Sequence, residues 1–483
     1  MPAQLFSPPP LGVGLLWSPR LTGMIQAGSL SAEVLAIAPQ PLWQRGAAGA
    51  PHTLIESAVE ALRALPTPKL LRGAGLPLAT SAELCRRQAV PWRQTIERLQ
   101  PAWVSENLAF TCAQGLTAAG SSAYAGATLP PLQCAATVLA AVRRIESLRR
   151  LSHVPVAFRI VANHLSPQAG EMPDGEFYAA VADASGCGIV LDLDALWSNE
   201  CSGRAKVADV LARLPLHRVW EVQVARGEGP GQGVPPAVMA LLAQWLPAMP
   251  QLGALILDPR PEPGSAALPS AEALAAQMTA LRALWPKPLT TPLPSRRASP
   301  RPQPAHPIGP ACTVDVWERA LCSVVNGHDL PAGSRSLRNL LADPGVHVYR
   351  RQIESSRAGM LIECLPLTWR ALVLQLGLAA AEALRQDFSR GYWPQAFAQD
   401  EARNFAHFLH LAEAAGQVAV PHLRSVLEFE MACADGGIET QVHFDGEPLL
   451  LLAALSRGEW PPGVSEPLPK PYHNPQPRTH AVA

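Results

Sequence analysis

The stretch GCGIVLDLDAL occupies residues Gly186–Leu196. Its centre, Ile189–Leu191, is apolar; a glycine stands on either side of Cys187, and Asp192 closes the run. A short apolar run between turn-forming residues is the pattern of a strand buried on both faces, as parallel sheets require. The pattern recurs in LSAEVLAIAP (30–39), PKLLRGAGLPLA (68–79), PAWVSENLAF (101–110), VPVAFRIVA (154–162), VWEVQVARG (219–227) and LGALILDP (252–259). Between these runs lie stretches with apolar residues at helical spacing, among them ESAVEALRAL (56–65), QCAATVLAAVRRIESLRRL (133–151) and PPAVMALLAQWL (235–246). Strand–helix alternation of this kind predicts an α/β fold. The number of repeats favours a closed (β/α)8 barrel of the TIM type over residues 11–283, with a doubly wound open sheet as the alternative. No GxGxxG follows a strand, and neither a P-loop nor a GxSxG elbow is present, so three common nucleotide and hydrolase sites have no support.

Beyond residue 283 the pattern changes. Residues 284–310 are dense in proline (WPKPLTTPLPSRRASPRPQPAHPIGP from Trp285), which fixes φ and removes backbone donors, so an extended linker is expected. Residues 311–458 carry helical periodicity in VDVWERALCSVV, LPLTWRALVLQLGLAAAEALRQDF, EARNFAHFLHLAEAAG and VPHLRSVLEFEMACA, and read as a mostly α-helical second domain. GGIETQVHFDGEPLLLLAAL is expected to add a small hairpin, and residues 459–483 to form a proline-rich disordered tail.

Composition narrows the function classes. Hydrophobic residues make up 48% of the 483, enough for a large core, while 39 basic and 39 acidic side chains cancel. A neutral chain has no general attraction for nucleic acid or anionic membrane, so neither is expected as a partner. Apolar runs are too interrupted for a membrane span, and the first residues lack a basic signal-peptide start, so a cytoplasmic location is expected. Nine cysteines without a CxxC pair exclude a zinc ribbon and fit reduced, mostly buried thiols; Cys187, just before a strand, reads as core. His407 and His410 share a helix face with Glu401 upstream, but no third ligand is evident, and a solvated face is the simpler reading.

Several strings carry a family resemblance: GVGLLWSP from Gly12, AWVSENLAF around Ser105, EMPDGEF from Glu171, GCGIVLDLDALWSNECSGR and LPLHRVWEVQVARG. Together they resemble the multinuclear non-haem iron-dependent oxidases typified by the large subunit of the methanobactin biosynthesis complex. The resemblance implies a TIM-type barrel, iron ions at the C-terminal strand ends, and oxidative rearrangement of cysteine in ribosomally made peptides. GVHVYRRQIESS, LPLTWRALVLQLG, FAHFLH and VPHLRSVLEFEMA in the second domain resemble the partner-protein family of these oxidases, often labelled DNA-binding. That resemblance implies a peptide or a co-encoded subunit as partner.

Iron in such sites needs imidazole nitrogens and carboxylate oxygens. At the positions where the resemblance places ligands, this chain has Ala36, Arg72, Asn107, the pair Phe158–Arg159, and Gln223. Arginine repels a cation, and Phe158 has no donor atom. Asp192 keeps the family aspartate, Asp194 is expected to share its face by strand alternation, and Asp258 falls at the last carboxylate position. The four histidines before residue 283, His52, His153, His164 and His217, match none of these positions. Most metal ligands thus read as replaced, and whether the chain is an enzyme stays open. The first expectation is a non-catalytic relative without a cofactor, binding or scaffolding in peptide modification. The second is an active metal-dependent oxidoreductase acting on peptide cysteine, with iron at a reduced site of Asp192, Asp194 and Asp258, or an arginine-lined cavity taking an anionic substrate. Structural roles compete with both: Asp192 as a helix cap, and Arg72 and Arg159 as ion-pair partners.

Overall fold

The computed structural model describes residues 6–46, 50–73, 75–83, 86–117, 120–227, 233–261, 268–285, 312–434, 441–444, 446–461 and 470–473. Eight parallel strands close into a barrel: β1 (Gly12–Leu16), β2 (Leu35–Ile37), β3 (Lys69–Arg72), β4 (Val104–Asn107), β5 (Val156–Arg159), β6 (Gly188–Asp192), β7 (Val219–Ala225) and β8 (Ala254–Asp258). Each pairs with its sequence neighbours, and β1 closes the ring on β8 with Gly12 opposite Ala254 and Leu15 opposite Leu257. The closed barrel, not the open sheet, is therefore the fold.

The strands read as apolar runs because both faces are covered. Leu35, Ile37, Leu71, Phe158, Ile189, Leu191, Leu255 and Leu257 point outward into the core shared with the surrounding helices. Ala36, Leu70, Ala157, Val190 and Ile256 point inward. The small inward residues leave the interior narrow, and at the N-terminal end Phe6, Trp103 and Trp220 fill it with edge-to-face rings. Gly188 is required there, since a Cβ would lie 2.1 Å from the Trp220 ring. The interior is thus plugged at its base, the end opposite the C-terminal mouth where TIM-type barrels carry their sites.

The second region is mostly helical among its described residues, from helix Val314–Val325 to helix Pro448–Arg457, and it has its own core around Phe388, Phe405 and Leu427. It is also seated on the barrel. After β4 the chain forms an antiparallel hairpin, Phe110–Ala113 with Ala123–Leu129, and helix Val314–Val325 packs on it, joined by the start of helix Pro344–Cys364. Trp317 Nε1 donates to Pro130 O (3.1 Å), Asn326 Nδ2 to Ala125 O (3.0 Å) and Tyr349 OH to Ala162 O (3.0 Å). Arg45, after β2, pairs with Asp400 at 2.7 Å. All these barrel contacts lie in loops that follow strand C-termini, so the helical region covers part of the mouth end.

Several expectations need correction. Among its described residues, the stretch expected to give a hairpin supplies one strand, Gln441–Phe444; PLLLLAAL is part of helix Pro448–Arg457. The strand's antiparallel partner is Lys470–His473, inside the segment expected to be unstructured. A continuous apolar run does not distinguish strand from helix by periodicity, and a strand's partner is invisible when it is distant in sequence. Nearly all of the expected linker lies outside the described residues. No single described helix is long and apolar enough to cross a membrane.

Candidate functional site at the barrel mouth

The inward side chains at the C-terminal strand ends converge on Arg159. Its Nε donates to Gln223 Oε1 (2.9 Å) and its Nη1 to Asn107 Oδ1 (3.2 Å), while Nη2 forms an ion pair with Asp192. Asp192 is also the N-cap of helix Leu193–Cys201, its Oδ1 accepting the Ala195 N–H at 3.0 Å. Burial pushes the Asp192 carboxyl up, but Arg159, Arg72 and the Ala195 N–H outweigh it and hold the group below the usual carboxylate range. Both bland roles expected for Asp192, cap and ion-pair partner, are therefore filled at once.

Below this layer Gln223 Nε2 donates to Glu221 Oε1 (2.6 Å), and Trp103 Nε1 donates to Glu221 Oε2 (3.0 Å). A continuous polar ladder thus runs from the tryptophan plug to the mouth. Burial raises the Glu221 carboxyl in spite of these donors. Sequence reasoning passed over Glu221, although its place two residues before Gln223 on one strand marks it as facing the interior.

Arg72 stands at the end of β3, two residues beyond inward-facing Leu70 and hence on the same face. Among the described residues it has no hydrogen bond and no carboxylate within ion-pair distance. Burial, and then the like charge of Arg159, push it down to about 10; Asp192, Asp258 and Glu221 act in the opposite direction. It is still a cation at neutral pH.

Phe158 drops out of the site: it points outward into the helical layer and is fully buried there, and Arg159 alone of that pair enters the mouth. Ala36 faces inward and offers no polar atom. Asp194 does not share a strand face with Asp192, because the strand ends at Asp192 and Asp194 already lies in the first helical turn. Asp194 pairs instead with Arg260, 2.5 Å away, which also stands 3.8 Å from Asp258. Arg260, unremarked in the sequence, occupies the place between the two carboxylates that a cation would take. Burial raises the Asp258 carboxyl against the pull of Arg72 and Arg260.

The expected three-carboxylate metal set is therefore not assembled. Among the described residues no three His, Cys, Asp or Glu side chains are grouped to hold a metal. His52 packs on Phe397 and His164 on Tyr349, while His153 and His217 are exposed. His407 and His410 are exposed on their helix, and Glu401 is buried against Arg357. Cys187 is buried, and burial pushes its thiol up, in keeping with a core residue.

The sequence profile of a family described as RiPP precursor modification enzyme MbnB/TglH/ChrH matches residues 13–283, the whole barrel. The chain belongs to this family. Members similar to it include a UPF0276 protein of Anaeromyxobacter sp. (strain Fw109-5), 26% identical over 214 residues that make up 40% of this chain and 73% of the relative. A UPF0276 protein of Chromobacterium violaceum is 28% identical over 159 residues, 33% of this chain and 55% of the relative. Among solved structures, the E. coli 3-keto-D-glucoside 4-epimerase YcjR is similar at TM-score 0.38 and 12% identity, covering 56% of this chain and 98% of that one. Family membership sets a context of ribosomal peptide modification and points to a peptide substrate or partner. Two guanidinium groups, an amide pair and arginine-bound carboxylates at the mouth are a poor donor set for iron.

Proposed function

We propose that this member of the peptide-modifying family acts as a binding or scaffolding module in ribosomal peptide modification and has no iron site at its mouth. The observation that carries the reading is Arg159. It stands at the centre of the mouth and takes Asp192, Asn107 and Gln223 as its own partners, so the residues best placed to bind a metal are held by a cation instead. The helical region, which resembles the oxidases' partner proteins, is packed on the mouth end of the same chain through the hairpin after β4. Peptide capture and presentation would then take place on one polypeptide.

Metal content tests this directly. Protein expressed with added iron and purified anaerobically without chelators is expected to hold less than about a tenth of an equivalent of iron per chain, because an intact imidazole-and-carboxylate site retains its metal. It is also expected to bind a peptide encoded beside it in that apo state. One or more equivalents of iron, lost on Asp192→Ala, would return the chain to the active oxidases.

A further inference from the structure

The arginine that the mouth does not use points to a ligand. Arg159 is fully engaged, whereas the donors of Arg72 find no acceptor among the described residues. Guanidinium presents five N–H donors in a planar fork and stays charged, so a partly enclosed guanidinium without acceptors is costly unless a ligand or water supplies them. Arg72 as a residue is half-buried at the end of β3, and its guanidinium is closely surrounded by protein. On the adjacent strand Asn107 has its Oδ1 fixed by Arg159 at 3.2 Å, so its Nδ2 is turned away from that contact and makes no hydrogen bond among the described residues. In the β3–β4 register Arg72 lies opposite Ser105, so Asn107 stands one inward-facing position further toward solvent.

From this arrangement we infer that Arg72 and the Asn107 amide form a site for a single carboxylate, carried by a peptide as its free terminus or as an acidic side chain. Two parallel N–H bonds from one guanidinium match the two oxygens of a carboxylate, and the amide adds a third donor. Charge selects the monoanion. Asp192 is paired with Arg159 and Asp258 lies beside Arg260, so Arg72 keeps one positive charge without a contact partner, which a single negative charge balances. The inference rests on the proposed function, in that the same mouth must be free of a metal cation, and it adds the chemical class of what enters there.

The probe is N-acetylglycine, with N-acetylglycinamide as its uncharged counterpart and inorganic phosphate as the dianion, each titrated into the full chain and followed by saturation-transfer NMR. N-acetylglycine is expected to saturate at roughly 1 to 10 mM, the range of one charge-assisted contact. N-acetylglycinamide is expected to show no saturation. Arg72→Gln is expected to weaken N-acetylglycine about tenfold or more, the size of a lost hydrogen-bonded charge. Arg72→Lys, which keeps the charge without the fork, gives an intermediate value and serves if the glutamine variant does not fold. Equal affinity in wild type and Arg72→Gln, no saturation in wild type, or tighter binding of phosphate than of N-acetylglycine each overturns the inference. An iron-free chain that ignores N-acetylglycine yet binds its peptide defeats this inference alone; an iron-loaded chain defeats the proposed function first.

Discussion

Arg357 in the helical region and Arg72 in the barrel mouth are both enclosed arginines, and their surroundings differ completely. Arg357 is 2% exposed; its Nε donates to Glu401 at 2.5 Å, its Nη1 donates to Ser389 O at 2.9 Å, and its guanidinium lies 4.9 Å from the centre of the Phe388 ring. Arg204, on the barrel flank, is used the same way by Asp174, Glu171 and Leu165 O. These arginines tie helices and loops together. Among the described residues the side chain of Arg72 ties nothing to anything. A cation that the fold consumes is part of the architecture, and one that the fold leaves idle is available to a ligand.

The largest expected effect sharpens this contrast from the architectural side. Glu401→Ala leaves Arg357 as a buried charge without its counter-ion and should cost about 3–5 kcal/mol in urea denaturation. The seam between the two regions gives the next effect. Glu318, on helix Val314–Val325, has no cation in contact among the described residues; it accepts the Ser81 N–H at 2.8 Å and the Ser81 hydroxyl, and burial pushes its carboxyl up to about 7. A raised carboxyl means that the folded chain holds its proton more tightly than the unfolded one, whose value is near 4.5. This contribution to stability is therefore present below about pH 4.5 and is lost as pH rises through about 7, by up to roughly 3 kcal/mol. Unfolding at pH 5 and pH 8 should show a steeper loss in wild type than in Glu318→Gln; parallel curves would remove Glu318 as the source. The smallest effect belongs to Arg72→Gln. With no pair to break and an enclosed, unpartnered charge removed, it should lose no more than about 0.5 kcal/mol relative to wild type. A loss as large as that of Glu401→Ala would mean that Arg72 belongs with Arg357 after all.

The barrel was legible because its strands are covered on both faces and most, such as LAI, GIVLD and ALILD, are written as compact apolar runs. The hairpin after β4 was not, because AYAGATL mixes small residues, and Gly126 at φ +82° interrupts any pattern. It was selected by the seam: a Cβ on Gly126 would sit 2.8 Å from Ile353 and 2.9 Å from Pro394. In the site, Arg72, Asn107, Arg159, Asp192 and Gln223 could be placed through the resemblance, which sets ligand positions at strand ends. Phe158 and Asp194 could not. A one-residue shift moves a strand side chain to the opposite face, and the step from β6 into its helix abolishes the alternation that linked Asp194 to Asp192. Arg260 was missed because its role depends on two carboxylates 66 and two residues away in the chain.

The hub at Arg159 also makes the mouth strongly epistatic. Exchanging Gln223 for histidine takes away the acceptor of Arg159 Nε and leaves the guanidinium, still bound to Asp192, against the new imidazole. Freeing Asp192 by removing Arg159 leaves it the cap of helix Leu193–Cys201, with Arg72 still nearby. Neither single exchange yields a ligand, and each disturbs a contact on which the other depends. On the proposed function, any path from this mouth to a metal-binding one must clear its arginines before it installs a donor, so the order of substitutions, more than their number, decides which neighbouring sequences can be reached.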